Sequence, residues 1–198
     1  MEKLFNIFRY FRHFLFSGFY HLGWPVVFRR NIVINGHEFI SLGKNVVLDY
    51  DCVLNVITRH QNYKYNYQKP VIKIEDNVGI TKGAFISAVR SIHIKKNVMI
   101  GPYCFIGDYN HGYEDITRPI SKQPLKNIKP VVIEEGAWIG AHVSIASGVT
   151  IGKNSVIGAN SVVTKDIPDY CVAVGTPAKI IKRYNKRNNN WREINKKG

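Results

Sequence analysis

The sequence predicts an all-β stack of short coils, on three observations. Ile133, Ile139, Ile145, Ile151, Ile157 and Val163 recur every six positions without a slip. Six residues are too few for two helical turns and do not fit the i, i+3, i+4 spacing of an amphipathic helix. Ala, Val or Ser follows most of these aliphatics four positions on, and Gly or Asn (Gly140, Gly152, Asn154, Gly158, Asn160) relieves the bends, where positive φ is open to these residues. Each unit is therefore a short strand plus a bend. Three units return the chain to its starting direction, giving a triangular coil of about eighteen residues whose aliphatics point inward and whose strands pair in parallel with the next coil.

The elements follow in chain order. Leu4, Phe8, Phe11 and Leu15, widened by Phe5, Ile7 and Phe14, oppose Glu2, Asn6, Arg9 and His13. That is the pattern of an amphipathic, aromatic, basic helix. Such a helix can cap the open end of a repeat stack, or residues 1–20 can rest on an anionic membrane surface. The six-residue register then runs through Leu42, Leu48 and Leu54, through Ile74, Ile80 and Ile86, and through Ile94, Ile100 and Ile106. With the run from Ile133 these make about five coils. Interruptions fall between them: a tyrosine-rich stretch from His60 to Pro70, a two-residue slip after Ile86, and an excursion from Gly107 to Pro130. Insertions in a solenoid leave the stack as loops, and one as long as the last is uncommon unless it works. After Ala178 the sequence KIIKRYNKRNNNWREINKKG predicts a short helix that frays into a basic tail. The organisation is thus a basic N-terminal segment (1–30), a coil domain (31–178) and a basic C-terminal segment (179–198).

Composition narrows the function classes. The 198 residues carry a net charge of +14, but residues 1–30 hold five Lys or Arg against Glu2, and residues 179–198 hold eight against Glu193. The coil domain is close to neutral and its ends are basic. No helix-turn-helix, zinc or aromatic RNA-binding motif accompanies that charge, which argues against nucleic acid and leaves a solvated tail or attraction of a phosphate-bearing ligand. Three cysteines do not make a disulfide framework. Cys52 and Cys104 hold the small interior position of a repeat, so each reads as a buried hydrophobe. Without a cleavable signal or a long uncharged apolar stretch, the chain is expected to stay in the cytoplasm and not to span a membrane.

His111 is the working candidate, in IGDYNHGYED at the start of the long excursion. A histidine beside a rigid stack can act as a general base near neutral pH. Asp108, Glu114 and Asp115 are close enough in sequence for one to orient the imidazole, and Asp108 is the candidate for that part. His60 and His93 have no motif around them. His142, after the turn of WIGAH, reads as a corner residue that could face the same groove.

At this point the chain resembles a known family. IGPYCFIGDYNH, WIGAHVSIASGVTIGKNSVIGANSVVTKDIP and AVGTPAKIIK, within residues 94–183, are similar to the catalytic part of the hexapeptide-repeat acyltransferases, especially the galactoside, maltose and capsule or O-antigen sugar O-acetyltransferases. The resemblance implies a left-handed parallel β-helix, against the usual right-handed crossover rule, and a homotrimer with acetyl-coenzyme A in the groove between neighbouring prisms. It implies His111 as catalytic base, and coenzyme binding at Ala141, Ala159, Thr164, Lys165, Lys179 and Lys182. The two last positions are commonly arginines in relatives, so this chain offers point charges in place of bidentate forks. The acceptor-binding Asn of the sugar acetyltransferases would fall near Thr81 to Gly83, where this sequence departs from the pattern.

The expected chemistry is acetyl transfer from acetyl-coenzyme A to a sugar or glycan hydroxyl in polysaccharide modification, with no metal. N-acetylation of an amino sugar, an antibiotic acceptor and a non-catalytic trimeric scaffold are the alternatives. A metal-dependent hydratase on the same fold would need three convergent histidines, and His111 with His142 is one short.

Overall fold

The computed structural model describes residues 18–194. Each hexapeptide unit forms a strand of two to four residues that pairs in parallel with its counterpart in the next coil. Sheet 1 runs through His21–Leu22, Ile40–Leu42, Ile72–Ile74, Ile92–Ile94, Val131–Ile133 and Thr150–Ile151. Sheet 2 runs through Val26–Phe28, Val46–Leu48, Gly79–Ile80, Met99–Ile100, Trp138–Ile139, Val156–Ile157 and Cys171–Val174. Sheet 3 runs through Val33–Asn35, Val53–Val56, Phe85–Ala88, Phe105–Gly107, Ser144–Ile145 and Val162–Val163. These three walls close a parallel β-helix. One coil precedes those that the register revealed: Leu22, Phe28 and Ile34 keep the six-residue spacing, masked in the sequence by the Trp24-Pro25 and Arg29-Arg30 pairs between them.

Register explains the period. Ile133 pairs with Ile151, Ile139 with Ile157 and Ile145 with Val163, so every aliphatic sits over its equivalent one coil on. Ile139, Ile145, Ile157 and Val163 are wholly buried. Burying such a side chain contributes roughly 1.5–3 kcal/mol, and the stack repeats that gain down each wall. Cys52 and Cys104 are buried as expected, their thiols against the Thr81 and Gly140 carbonyls at 3.2 and 3.1 Å. Burial pushes both thiols up, away from the reactive thiolate.

The corners are left-handed. Between sheets 1 and 2, Asn45, Asn77 and Asn97 hold φ of 56, 59 and 61°, and their amides form a ladder with bonds of 3.0 and 3.2 Å. Asparagine tolerates this region and its side chain ties one coil to the next. Between sheets 2 and 3 the equivalent positions are Asp51, Gly83, Tyr103, His142 and Asn160. His142 is thus a corner residue, its ring stacked on Tyr103 at 5.1 Å. The Tyr103 ring in turn covers Gly83, where a Cβ would come within 2.4 Å of it.

The C-terminal segment corrects one expectation. Where a helix was predicted, Lys179–Asn185 and Asn190–Glu193 form an antiparallel hairpin that extends sheet 2. The open edge of Cys171–Val174 offers unpaired backbone groups, and Ile180 packs on the core, so ladder and burial outweigh the helix propensity of the Lys and Arg residues. Asn185 accepts the Arg187 N–H at 2.9 Å and Asn189 takes φ of 48°, which together turn the chain. The expected N-terminal helix lies outside the described residues. No helix among the described residues is long and apolar enough to cross a membrane.

Candidate active site

The site lies where sheet 3 gives way to the long excursion. Phe105–Gly107 ends at Asp108, and the chain leaves the stack through Asn110–His111, which pairs antiparallel with Leu125–Lys126 on the returning limb. Ser147, one coil further on, closes the neck. Its hydroxyl bonds the Asp108 carbonyl at 2.9 Å, lies against the Asn127 carbonyl, and accepts the Lys129 N–H at 3.2 Å. Inside the loop, the buried Gln123 amide donates to the Asp115 and Arg118 carbonyls at 2.8 and 3.0 Å. Gly112 approaches the Pro124 carbonyl so closely that a Cβ would stand 2.7 Å from it. The excursion is therefore a folded unit with its own polar centre.

Asp108 does not orient the imidazole. Its carboxylate is buried and accepts the N–H groups of Val89, Arg90 and Ser91 at 2.7, 2.6 and 2.7 Å. Those three residues are the bend created by the two-residue slip after Ile86. Burial pushes the Asp108 carboxyl above the ordinary value, against the pull of the three amides. Sequence proximity suggested a partner for His111; in space the side chain points into the stack and stitches the irregular bend of the preceding coil. Glu114 and Asp115 are likewise occupied, by the Tyr113 N–H and by Thr117.

The His111 ring meets two other rings instead. Tyr109 stands edge-on at 6.3 Å and His60 at 5.5 Å. The Tyr109 hydroxyl is 3.0 Å from Ser87 Oγ, which accepts from Asn55 at 3.0 Å, and Asn55 accepts from Asn35 at 3.1 Å. Asn35, Asn55 and Ser87 share one register of sheet 3, each directly after an inward-facing aliphatic (Ile34, Leu54, Ile86), and Ser87 is fully covered. A polar column thus runs along the wall to the Tyr109 hydroxyl, whose ring stands beside the histidine. Beside it Phe85 and Phe105 stack at 6.0 Å, both exposed. His60, Tyr109, Ser87 and Asn55 escaped the sequence reading. The polar column was within reach through the register, but His60 carried no signal because its neighbour comes from another insertion.

The remaining predicted residues flank the same wall. Ala141 and Ala159 occupy successive coils at the corner between sheets 2 and 3, joined by Asn160 N–H to the Ala141 carbonyl at 2.9 Å. Thr164 and Lys165 are exposed at its opposite edge, directly after Val162–Val163. Lys179 and Lys182 lie on the C-terminal strand, and Lys182 faces Glu193 at 3.6 Å. His142 sits before the sheet 3 strand and His111 beyond its far end, so the two do not converge. Among the described residues, no three His, Cys, Asp or Glu side chains gather in a metal-binding cluster.

The comparisons with known proteins agree with this architecture. Residues 130–165 match the bacterial transferase hexapeptide (six repeats) family. The chain is 36% identical over 134 residues to an Escherichia coli K12 protein named "Putative lipopolysaccharide biosynthesis O-acetyl transferase WbbJ", covering 63% of this chain and 67% of that protein. It is 42% identical over 94 residues to the galactoside O-acetyltransferase of Lactococcus lactis, covering 48% and 44%. The chain spans from 37% to 67% of the length of the first curated relatives it matches. Among solved structures, a hexapeptide-repeat acetyltransferase from Vibrio cholerae complexed with acetyl-coenzyme A superposes with a TM-score of 0.54 at 28% identity, covering 86% of this chain and 74% of that one. AntD, an N-acyltransferase from Bacillus cereus in complex with dTDP-4-amino-4,6-dideoxyglucose and coenzyme A, shares the fold with a TM-score of 0.74 at 22% identity, covering 89% and 90%.

Proposed function

We propose, from the premise that this chain belongs to the bacterial hexapeptide-repeat transferases, that it transfers an acetyl group from acetyl-coenzyme A to a sugar or glycan hydroxyl, with His111 as the general base. The observation that carries this reading is the exposed His111 imidazole, gripped between two rings at the end of a wall flanked by Ala141, Ala159, Thr164 and Lys165.

The chemistry is direct. His111 accepts the proton of the acceptor hydroxyl as its oxygen attacks the thioester carbonyl, and backbone N–H groups along the wall stabilise the oxyanion. The C–O bond forms, the C–S bond breaks, and the imidazolium returns its proton to the departing thiolate. With a thiol pKa of about 8.5, that leaving group needs no stronger acid. Lys179 and Lys182 supply charge for coenzyme phosphates. Relatives named for lipopolysaccharide and galactoside O-acetylation support a saccharide acceptor.

The active form is a homotrimer. Sheet 1 presents Lys73, Glu75 and His93 outward, whereas sheets 2 and 3 present Met99, Trp138, Phe85 and Phe105. Apolar columns on two of three walls suit self-association. Light scattering should give a mass near three times 22.6 kDa. The direct test of function is thiol release from acetyl-coenzyme A across hexosides, nucleotide sugars, amino sugars and antibiotics. Turnover with a hydroxyl acceptor supports the reading. Turnover confined to amines would replace it with N-acetylation, and binding of acetyl-coenzyme A without turnover on any acceptor would favour a scaffold.

A further inference from the structure

Among the described residues no carboxylate bonds the His111 ring, yet a general base must be held within a few tenths of an ångström to work. The two insertions supply what the coil does not. The tyrosine-rich excursion folds into a small hairpin, with Arg59–His60 paired to Tyr63–Lys64. Tyr67 anchors its return, donating its hydroxyl to the Ile57 carbonyl at 2.8 Å and meeting Phe39 edge-on at 5.1 Å. The hairpin tip reaches across to the long excursion at two points. His60 Nε2 lies 3.2 Å from the Gln123 carbonyl, and the Gln61 side-chain amide bonds the Ser121 carbonyl. A carbonyl only accepts, so Nε2 of His60 carries the hydrogen and donates.

Gln123 is the residue on which the long excursion is built, and two residues later Leu125 pairs with His111. His60 therefore acts on the candidate base twice, once through the strand that carries it and once through the ring contact. Resting on the acyltransferase reading, we propose that His60 is the positioning residue for His111. Its N–H to the Gln123 carbonyl locks the tip of one insertion onto the other and fixes the imidazole where a carboxylate would otherwise do so.

Full-length His60→Ala, His60→Gln and His111→Ala would be compared with the parent protein, using acetyl-coenzyme A and the best acceptor of the panel. A glutamine at 60 keeps a side-chain N–H for the Gln123 carbonyl. His60→Ala is expected to lower kcat at least tenfold at an unchanged KM for acetyl-coenzyme A, and His60→Gln to recover kcat to within about threefold. The imidazole nitrogen signals of His111, assigned by their loss in His111→Ala, should shift in His60→Ala and move back toward the parent positions in His60→Gln, which restores the bond but not the ring contact. Unmoved His111 signals in His60→Ala, a KM rise equal to the kcat loss, or no recovery in His60→Gln would each overturn the proposal. If His111→Ala retains thiol release, the acyltransferase mechanism fails on its own terms, and the ring signals still decide whether His60 places His111.

Discussion

The run Ile133–Val163 and the excursion 107–130 differ in what holds them. The first is closed by repeated, non-directional burial: Ile139, Ile145, Ile151 and Ile157 are wholly buried and stacked on their equivalents. The second is closed by single polar contacts that occur once each: Gln123 to Asp115 and Arg118, Ser147 across the neck, His60 to the Gln123 carbonyl. Redundancy makes the coils rigid and tolerant of detail. Uniqueness makes the excursion specific and vulnerable, and it is the excursion that carries the candidate base.

Substitutions that strike one region and spare the other test that difference. The largest effect belongs to the core: Ile139→Ala should cost about 2–5 kcal/mol in urea unfolding, whereas Ile116→Ala, at a side chain 96% exposed in the excursion, should change stability by less than about 0.5 kcal/mol. Equal losses at the two positions would remove the distinction. Next comes the stitch between regions. Asp108→Ala strands the amides of Val89, Arg90 and Ser91, at about 1–3 kcal/mol, and should speed hydrogen exchange at all three.

A smaller contrast separates two glycines. Gly83→Ala, at φ +71° beneath the Tyr103 ring, should cost about 1–2 kcal/mol for the left-handed backbone, while Gly79→Ala, with nothing within 4 Å, should cost less. Thermal melting ranks the pair. The smallest effect lies on sheet 1. Burial alone would raise the Glu75 carboxyl, but the His93 bond at 2.8 Å and the charges of His93 and Lys73 outweigh it, leaving the group below its ordinary value. A lowered folded pKa contributes stability above the unfolded value near 4.5 that is lost as pH falls through the folded one. Glu75→Gln should therefore lose less than about 1 kcal/mol at neutral pH and nothing in acid below both values.

The same contrast explains what the sequence could and could not reveal. Position in a coil is a property of spacing, so Ile133 to Val163, the corner at His142 and the buried Cys52 and Cys104 were all legible. Leu22, Phe28 and Ile34 obeyed the rule too, but one unit each among polar neighbours did not stand out. Contacts between insertions have no period. Asp108 looked like a partner for His111 because it is three residues away, whereas strand alternation turns it inward to the bend at Val89. His60 lies 51 residues from His111 in the chain, and only the folding of both insertions over the same wall brings the rings to 5.5 Å. The C-terminal strand was misread for a related reason: its conformation is dictated by the open edge of sheet 2, a tertiary feature that local propensity does not encode.

The central claim is that the coils furnish a rigid wall and His111, held over it by the excursion, does the chemistry. Single-turnover thiol release from acetyl-coenzyme A by parent and His111→Ala proteins, at saturating acceptor, tests it most directly. A fall of about 10²–10⁴-fold in the rate, with coenzyme affinity unchanged, is the predicted result. An unchanged rate in His111→Ala would contradict the account and move the search for the base elsewhere on the wall.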